Sequence, residues 1–455
     1  MDGTCAVSPA DRSPRRTRRK AAPGETLVVV LEDAIAGTLT RSRGGRLAFS
    51  YEEDYRRRPE TTPLSLTLPK QTSEHAGAKL DAWLWGLLPD DPAVLRCWAR
   101  QFHVSASPFA LLSTPIGEDC AGAVRFIAPD RLEELVDQPG SVTWLAEEEV
   151  AERLRDLRTD RTAWLAFSPA GRFTLAGAQA KTALLCRDGR WGGPSGAIPT
   201  THILKTAITG LDGHDLNEHL CLDAARRAGL LAARTRIERF REETALVVTR
   251  FDRIAAGETI RRIHQEDLCQ ALGIAPSRKY QNEGGPGPAD IARLLRTTLP
   301  STTAESAIRQ FADALAWNWL IAGTDAHAKN YSLRLTGPEA RLAPLYDIAS
   351  ALPYGIHERK LRLAMKLGGD YRLYPDHNPW PGAARELGLD PIELTDRVRE
   401  LAMLVPHAFA DASTTCAASG LNDSFARRLV DLLAGRAEQC LRLLTSTPAA
   451  RRRSV

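Results

Sequence analysis

The chain has 455 residues, 60 Lys plus Arg against 56 Asp plus Glu, a formal net charge of +4 and 43% hydrophobic residues, which is the make-up of a globular protein too long for a single core. The surplus charge sits at the ends: 1–24 hold six basic and two acidic residues and 451–455 three arginines, which leaves the stretch between them at −3 and argues against a strongly basic nucleic-acid-binding body. Eight scattered cysteines make no CxxC pair and no apolar run approaches the ~20 residues of a membrane-spanning helix, so the expectation is a cytoplasmic protein with reduced thiols and no membrane contact.

Residues 1–26 read as a disordered basic tail, too short and too acidic for an organellar transit peptide. Order is expected from the apolar run Leu27-Val28-Val29-Val30-Leu31, a buried strand. Strands at 47–51 and 64–68 follow, then a helix over 78–88 closed by the turn Leu88-Pro89-Asp90-Asp91. Short strands near 117–126 and a charge-laced surface helix at 147–157 complete a mixed α/β domain over 27–150 that shows no obvious chemistry. From Trp164 the pattern turns β-rich, with strands at 172–175, 182–186, 201–204 and 245–249. One helix over 216–229 interrupts them, with the stripe Leu216, Leu220, Ala224, Ala228 and Gly229 as its cap. After Phe251 the chain is mainly helical (265–272, 289–295, 304–322, 390–404, 423–444), with a Gly- and Pro-rich loop over 277–288. The fold class is α+β: the N-terminal α/β domain, then a unit over 151–445 with a small β-rich lobe (151–252) and a larger helical lobe (253–445), and a basic tail over 446–455.

The segment Gly323-Thr324-Asp325-Ala326-His327-Ala328-Lys329-Asn330 leaves the long apolar helix as a loop. Asp325 and Asn330 have an Asp-x-x-x-x-Asn spacing, and Tyr346-Asp347-Ile348 follows downstream. Phosphoryl transfer uses these residue types in this order: an Asp for the acceptor hydroxyl, an Asn oxygen on Mg²⁺, and a second Asp bridging metal and phosphates. In isolation, Asp and Asn in loops are more often turn formers or caps. Upstream, Ala176-Gly177-Ala178-Gln179-Ala180-Lys181 lies between strand-like segments and is small enough for backbone N–H groups to approach a phosphate. It is not a Walker A loop, and a tight hairpin is its plain structural reading. Next, the strand 201–205 ends in Lys205, and Glu218 on the following helix is available to pair with it, as in kinase architecture. The plain alternative is a solvated lysine and a glutamate favoured by the helix dipole. The apolar strand 246–252 stands where a hinge would bind adenine through backbone groups. In chain order these features fit a two-lobed, kinase-like unit that uses ATP.

The residues also resemble the HipA-type toxin kinases, serine/threonine kinases of bacterial type II toxin–antitoxin systems. The resemblance spans roughly 27–440. It rests on 84–90, 117–126, 176–179 with 181–182, 201–205, Asn217-Glu218, 250–253, 265–267 with 269–270, Lys279-Tyr280 with 284–287, 324–330 and 346–348. It implies Asp325 as catalytic residue, Asn330 and Asp347 as Mg²⁺ ligands, and Lys205 with Ala176, Gly177, Ala178, Gln179 and Lys181 on the phosphates of ATP. It also implies Thr249, Phe251 and Asp252 at the adenosine hinge, with His327 and Lys329 facing nucleotide or substrate. The family phosphorylates a Ser just before the phosphate loop to switch itself off; Thr174 holds that position, and its β-branch makes it a more restricted acceptor. Ser168 is a second candidate. The implied partners are a small DNA-binding antitoxin, with DNA reached only through it, and an aminoacyl-tRNA synthetase as substrate.

Three features carry less. Gln265-Glu266-Asp267 is expected to begin a helix, His264 to be a packing or surface residue, and Trp83, Trp85, Trp317 and Trp319 to belong to cores or interfaces. Two other functions compete with the kinase: a catalytically silent kinase-like subunit of an antitoxin–DNA repressor complex, and a metal-dependent hydrolase built on Asp325, His327 and Asp347.

Overall fold

The computed structural model describes residues 25–133, 140–164, 173–257, 259–418 and 423–445. Residues 1–24, the tail over 446–455 and Ser168 lie outside them.

The first sheet is antiparallel, in the order β4-β3-β2-β1-β5, built from β1 (Glu25–Leu31), β2 (Ala34–Arg41), β3 (Leu47–Tyr51), β4 (Glu74–Ala76) and β5 (Val124–Ile127). β1 reads as an unbroken apolar run because both of its faces are covered. Leu27, Val29 and Leu31 enter the large core, and Val28 and Val30 pack with Ile127 on the other side. The segment 64–68 is not a strand. Its backbone makes one isolated bridge, Ser65 to Leu68, and the Leu66 N–H donates to the Glu266 carboxylate at 2.9 Å instead of to a neighbouring strand.

The second sheet runs β10-β11-β9-β7-β8-β6, from β6 (Val142–Trp144), β7 (Lys181–Arg187), β8 (Arg190–Pro194), β9 (His202–Lys205), β10 (Thr235–Phe240) and β11 (Glu243–Thr249). The expected strand at 172–175 is absent from the described part of that stretch. β10 escaped the sequence reading because Arg236, Glu238 and Arg239 interrupt its apolar residues. The helix His214–Arg227 packs beside the sheet and is closed as expected: Gly229 has φ +84°, its N–H reaches Arg226 O, and Leu230 N–H reaches Ala225 O.

A hairpin of β12 (Arg253–Ala256) and β13 (Thr259–Arg262) leads to a third sheet of β14 (His264–Asp267), β15 (Ser332–Thr336) and β16 (Glu339–Leu342). Gln265, Glu266 and Asp267 are therefore strand residues and do not open a helix. Only Asp267 plays the expected part, as the cap that accepts from Gln270 N at 2.9 Å before the short helix Leu268–Leu272. His264 is fully buried, and its Nε2 lies 2.9 Å from Leu64 O. The helices Ser301–Leu320, Pro391–Ala418 and Asp423–Thr445 enclose a second core. The middle one runs past its expected end and continues through Pro406, although a proline there removes one backbone donor. The mixed α/β reading holds, and Trp83, Trp317 and Trp319 are fully buried as expected.

The first two sheets share one apolar cluster, running from Leu27 to Val247, while the helical lobe has its own, from Leu216 to Leu444. A buried polar network sews the first sheet to the hinge. Asp119 accepts from Arg253 Nη2 (2.9 Å) and Thr200 Oγ1 (2.6 Å), and Asp252 accepts from Arg250 (2.8 Å) and Gly122 N (2.7 Å).

Candidate active site

β7 and β9 pair antiparallel with Lys181 directly opposite Lys205, so both ammonium groups leave the sheet on the same face. Two like charges side by side need counter-charges. Lys205 finds Glu218 Oε1 at 2.7 Å and Oε2 at 3.0 Å on the 214–227 helix, and Asp347 Oδ1 at 2.7 Å from across the cleft. Burial alone would pull the Lys205 ammonium down, but Asp347 and Glu218 hold it above the ordinary lysine range. Burial and then the Lys205 charge pull Lys181 down to about 8. Its Nζ donates to Ala176 O at 2.7 Å and lies 5.1 Å from the centre of the Trp164 ring.

The Lys181–Ala176 bond closes the small-residue loop on itself. Gly177 has φ +107°, a conformation that residues with a side chain rarely adopt, and a Cβ there would stand 2.6 Å from the tip of Lys181. Ala178 is exposed, and Gln179 Nε2 donates to Thr206 O at 3.2 Å.

On the far side of the cleft the 301–320 helix ends and Ala322 turns the chain with φ +58°. The loop that follows braces itself. His327 N–H donates to Asp325 O (2.8 Å), Asn330 N–H to His327 O (2.9 Å), and Asn330 Nδ2 again to Asp325 O (2.8 Å). This fixes the Asn330 amide with its nitrogen turned inward. The Asp325 carboxylate is exposed, and Oδ1 accepts a short hydrogen bond from the Tyr280 hydroxyl. His327 is buried edge-on to Tyr280 at 4.9 Å, with Nδ1 unpartnered among the described residues. Lys329 does not point freely at the cleft: its side chain is 3% exposed and its Nζ is ion-paired with Asp90. Asp347 follows Tyr346, whose hydroxyl donates to Lys329 O at 2.7 Å, and adopts φ +57°, an uncommon conformation for a residue other than glycine. Burial would raise its carboxyl, yet Lys205 and Lys181 hold it well below the usual carboxylate range.

These groups line one cavity of about 640 Å³. Its walls include Ala176, Gly177, Ala178, Gln179, Lys181, Lys205, Thr249, Phe251, Asp252, Asp325, His327, Lys329, Asn330 and Asp347, so the strand-borne lysine and the distant loop do meet. The Asp252 carboxylate is committed to Arg250, Arg253 and Gly122 N, so only the rest of that residue faces the cavity. The Phe251 ring lies 5.7 Å from that of Tyr346. Thr174 is not in the cavity: it is fully buried, and its hydroxyl donates to Leu87 O at 2.6 Å.

Among the described residues no three His, Cys, Asp or Glu side chains gather to hold a metal by themselves. The donors present suit Mg²⁺, a hard cation that takes one or two protein oxygens and completes its shell with phosphate and water. The Asn330 nitrogen is occupied, which leaves its oxygen as the free end, and Asp347, 35% exposed, gives Lys205 one oxygen.

Sequence reasoning passed over three contributors. Asp90, in the turn after the helix Ala78–Gly86, pairs with Lys329 and, at 2.8 Å, with Lys279, and Tyr280 reaches Asp325. The signal available for them was their place in the family-like blocks 84–90 and Lys279-Tyr280.

Comparisons with known proteins bear on the family and the fold. The model of the HipA-like C-terminal domain matches residues 173–409, and that of the HipA N-terminal domain matches 27–127. A Sinorhizobium fredii protein that bears the kinase name Y4mE is 33% identical over 412 residues, covering 89% of this chain and 96% of that one. The serine/threonine-protein kinase toxin HipA of Shewanella oneidensis is 29% identical over 355 residues, 75% of this chain and 78% of its own. The solved complex of Shewanella oneidensis HipA with HipB and operator DNA contains a chain that matches 92% of this one and 98% of itself, with a TM-score of 0.79 at 25% identity.

Proposed function

From the premise that this chain belongs to the HipA family of kinases, we propose that it is an ATP- and Mg²⁺-dependent serine/threonine protein kinase, the toxin of a type II toxin–antitoxin pair. The observation that carries this reading is Lys205, buried and bonded at once to Glu218 and Asp347, facing the Asp325–Asn330 loop across one cavity. A hydrolase built on Asp325, His327 and Asp347 leaves the Lys205–Glu218 pair without a purpose. A silent subunit leaves the whole constellation without one.

In the proposed reaction Lys205 binds the phosphates of ATP while Glu218 fixes its ammonium, and the 176–181 loop covers them with backbone N–H groups. Asn330 Oδ1 and Asp347 would hold Mg²⁺, which when bound offsets charge on the phosphates. Thr249, Phe251 and Asp252 border the adenosine end, with His327 and Lys329 near the transferred group. Asp325 orients the Ser or Thr hydroxyl and takes its proton at the carboxylate as the oxygen attacks the γ-phosphorus and ADP departs. We take 151–252 as the ATP lobe and 253–445 as the helical lobe, with 27–150 as the preceding domain. The likeness to a HipA chain solved with HipB and operator DNA supports a HipB-like DNA-binding antitoxin as partner; an aminoacyl-tRNA synthetase as substrate and the cytoplasm as location are what the family resemblance implies. Among the described residues no helix is long and apolar enough to cross a membrane.

The test is transfer of label from γ-labelled ATP with Mg²⁺ to a degenerate Ser/Thr peptide library. Incorporation into Ser and Thr by the full chain, abolished in Asp325→Gln, is expected. Transfer by Asp325→Gln at the wild-type rate would remove Asp325 from its role, and none by the wild-type chain would remove the kinase reading.

A further inference from the structure

The first domain lines the cleft with Gly86, Asp90 and Ala121, and of these Asp90 alone carries a charge. Asp90 has two arms. Its backbone N–H donates to Gly177 O of the small-residue loop at 3.0 Å, and Pro89 forms a parallel bridge to the same glycine. Its side chain, 14% exposed, gives one oxygen to Lys329, inside the 323–330 loop, and the other to Lys279 at 2.8 Å. Lys279 is followed by Tyr280, which touches Asp325. One residue thus ties the loop placed on the phosphates to the loop that carries Asp325, across 239 positions of sequence on the Lys329 side.

An ordinary buried ion pair would need one carboxylate and one cation. Here the carboxylate is shared by two lysines from two segments, both ending at Asp325, and the adjoining N–H is spent on the opposite wall of the cavity. Lys329 is 3% exposed and cannot swing to an incoming phosphate while Asp90 holds it. We propose that Asp90 is a positioning residue for phosphoryl transfer, holding the 323–330 loop in register with the phosphate loop from the N-terminal domain. This rests on the kinase reading above.

The two arms separate experimentally. Asp90→Asn keeps the shape and the backbone N–H but removes the charge that holds Lys329 and Lys279. It should therefore act on the Asp325 side and spare the phosphate-loop side. In the peptide-library assay with ATP varied, kcat per folded molecule is expected to fall about tenfold or more, as misplaced groups do, while KM for ATP stays within about twofold. Lys329→Met should show the same split. The double variant should lose no more than either single one, because both remove the same link, and Asp90→Glu should restore part of kcat. Folded fractions are read from circular dichroism melts of each full chain. A kcat for Asp90→Asn within about twofold of wild type, with only the melting temperature lowered, would make Asp90 a structural ion pair and overturn the proposal. So would losses that multiply in the double variant. A wild-type chain without transfer would remove the kinase reading, and this inference with it.

Discussion

Lys205 Nζ stands between two carboxylates, and Glu218 beneath it is 1% exposed in its side chain. Replacing Lys205 by Met strands that carboxylate, which should cost about 3 kcal/mol in denaturant unfolding and abolish transfer. Adding Glu218→Leu should return most of the stability and none of the activity, which separates the structural from the chemical part of the pair. Tyr280→Phe keeps the ring against His327 and removes one hydrogen bond to Asp325; kcat should fall several-fold with KM for ATP unchanged in steady-state kinetics. Thr174 behaves differently from its position in the sequence. Its hydroxyl is fully buried on Leu87 O, so phosphate can reach it only after the segment leaves its seat, and the added charge could not return there. Prolonged incubation with ATP should add phosphate at Thr174 by peptide mass spectrometry, with transfer declining in step; a fully active chain bearing phosphate there would refute the switch. Spacing made Asp325, Asn330, Asp347, Lys205 and Glu218 visible as a set, because kinase chemistry orders them along the chain. Asp90 and Lys279 stayed hidden because they meet across 189 positions, each in a turn where its plain role sufficed.

At the level of elements, 64–68 and 265–267 were misread because their partners come from far away, whereas β10 was missed for its charged residues although its partner β11 is a hairpin neighbour. Glu266 looked like a helix-opening acid and is instead a buried strand residue that accepts from Ser65 Oγ at 2.6 Å and from Leu66 N, pinning 64–68 in place of a strand partner. Helices with a full apolar stripe, such as 214–227 and 301–320, were legible, since 3.6-residue periodicity needs no distant information. Burial pushes the Glu266 carboxyl up to about 8. The folded chain then holds a proton that the unfolded chain releases, so this group stabilises the fold at low pH, and that contribution is lost as pH rises through about 8. Glu266→Gln mimics the protonated form. The stability of wild type minus that of the variant should therefore decline with rising pH over this range in urea titrations, and a constant difference would show that Glu266 is ionised in the fold.

Over the whole molecule, the α+β class followed from the switch between strand-rich and helix-rich stretches. The network that joins the parts did not, because nothing in the blocks 117–126 and 250–253 tells that Asp119, Arg250, Asp252 and Arg253 pair with one another until the sheets close over them. Asp119 answers Arg253 at 2.9 Å, with Arg250 and Arg262 close by. Asp119→Asn leaves these guanidinium groups short of a counter-charge and should cost about 3–5 kcal/mol, seen as a lowered thermal midpoint. The cleft itself keeps a different balance. Lys181, Lys205, Lys279 and Lys329 stand against Asp90, Glu218, Asp325 and Asp347, and with Arg158, Arg161, Arg250, Asp252 and Asp267 also on its wall the cavity sets seven cations against six carboxylates. A triphosphate arriving there meets a surplus of a single positive charge, far less than its own negative charge, and the rest of its compensation has to travel with it as a divalent cation. Chelating that cation should consequently release a fluorescent ATP analogue from the cleft, not merely slow its turnover.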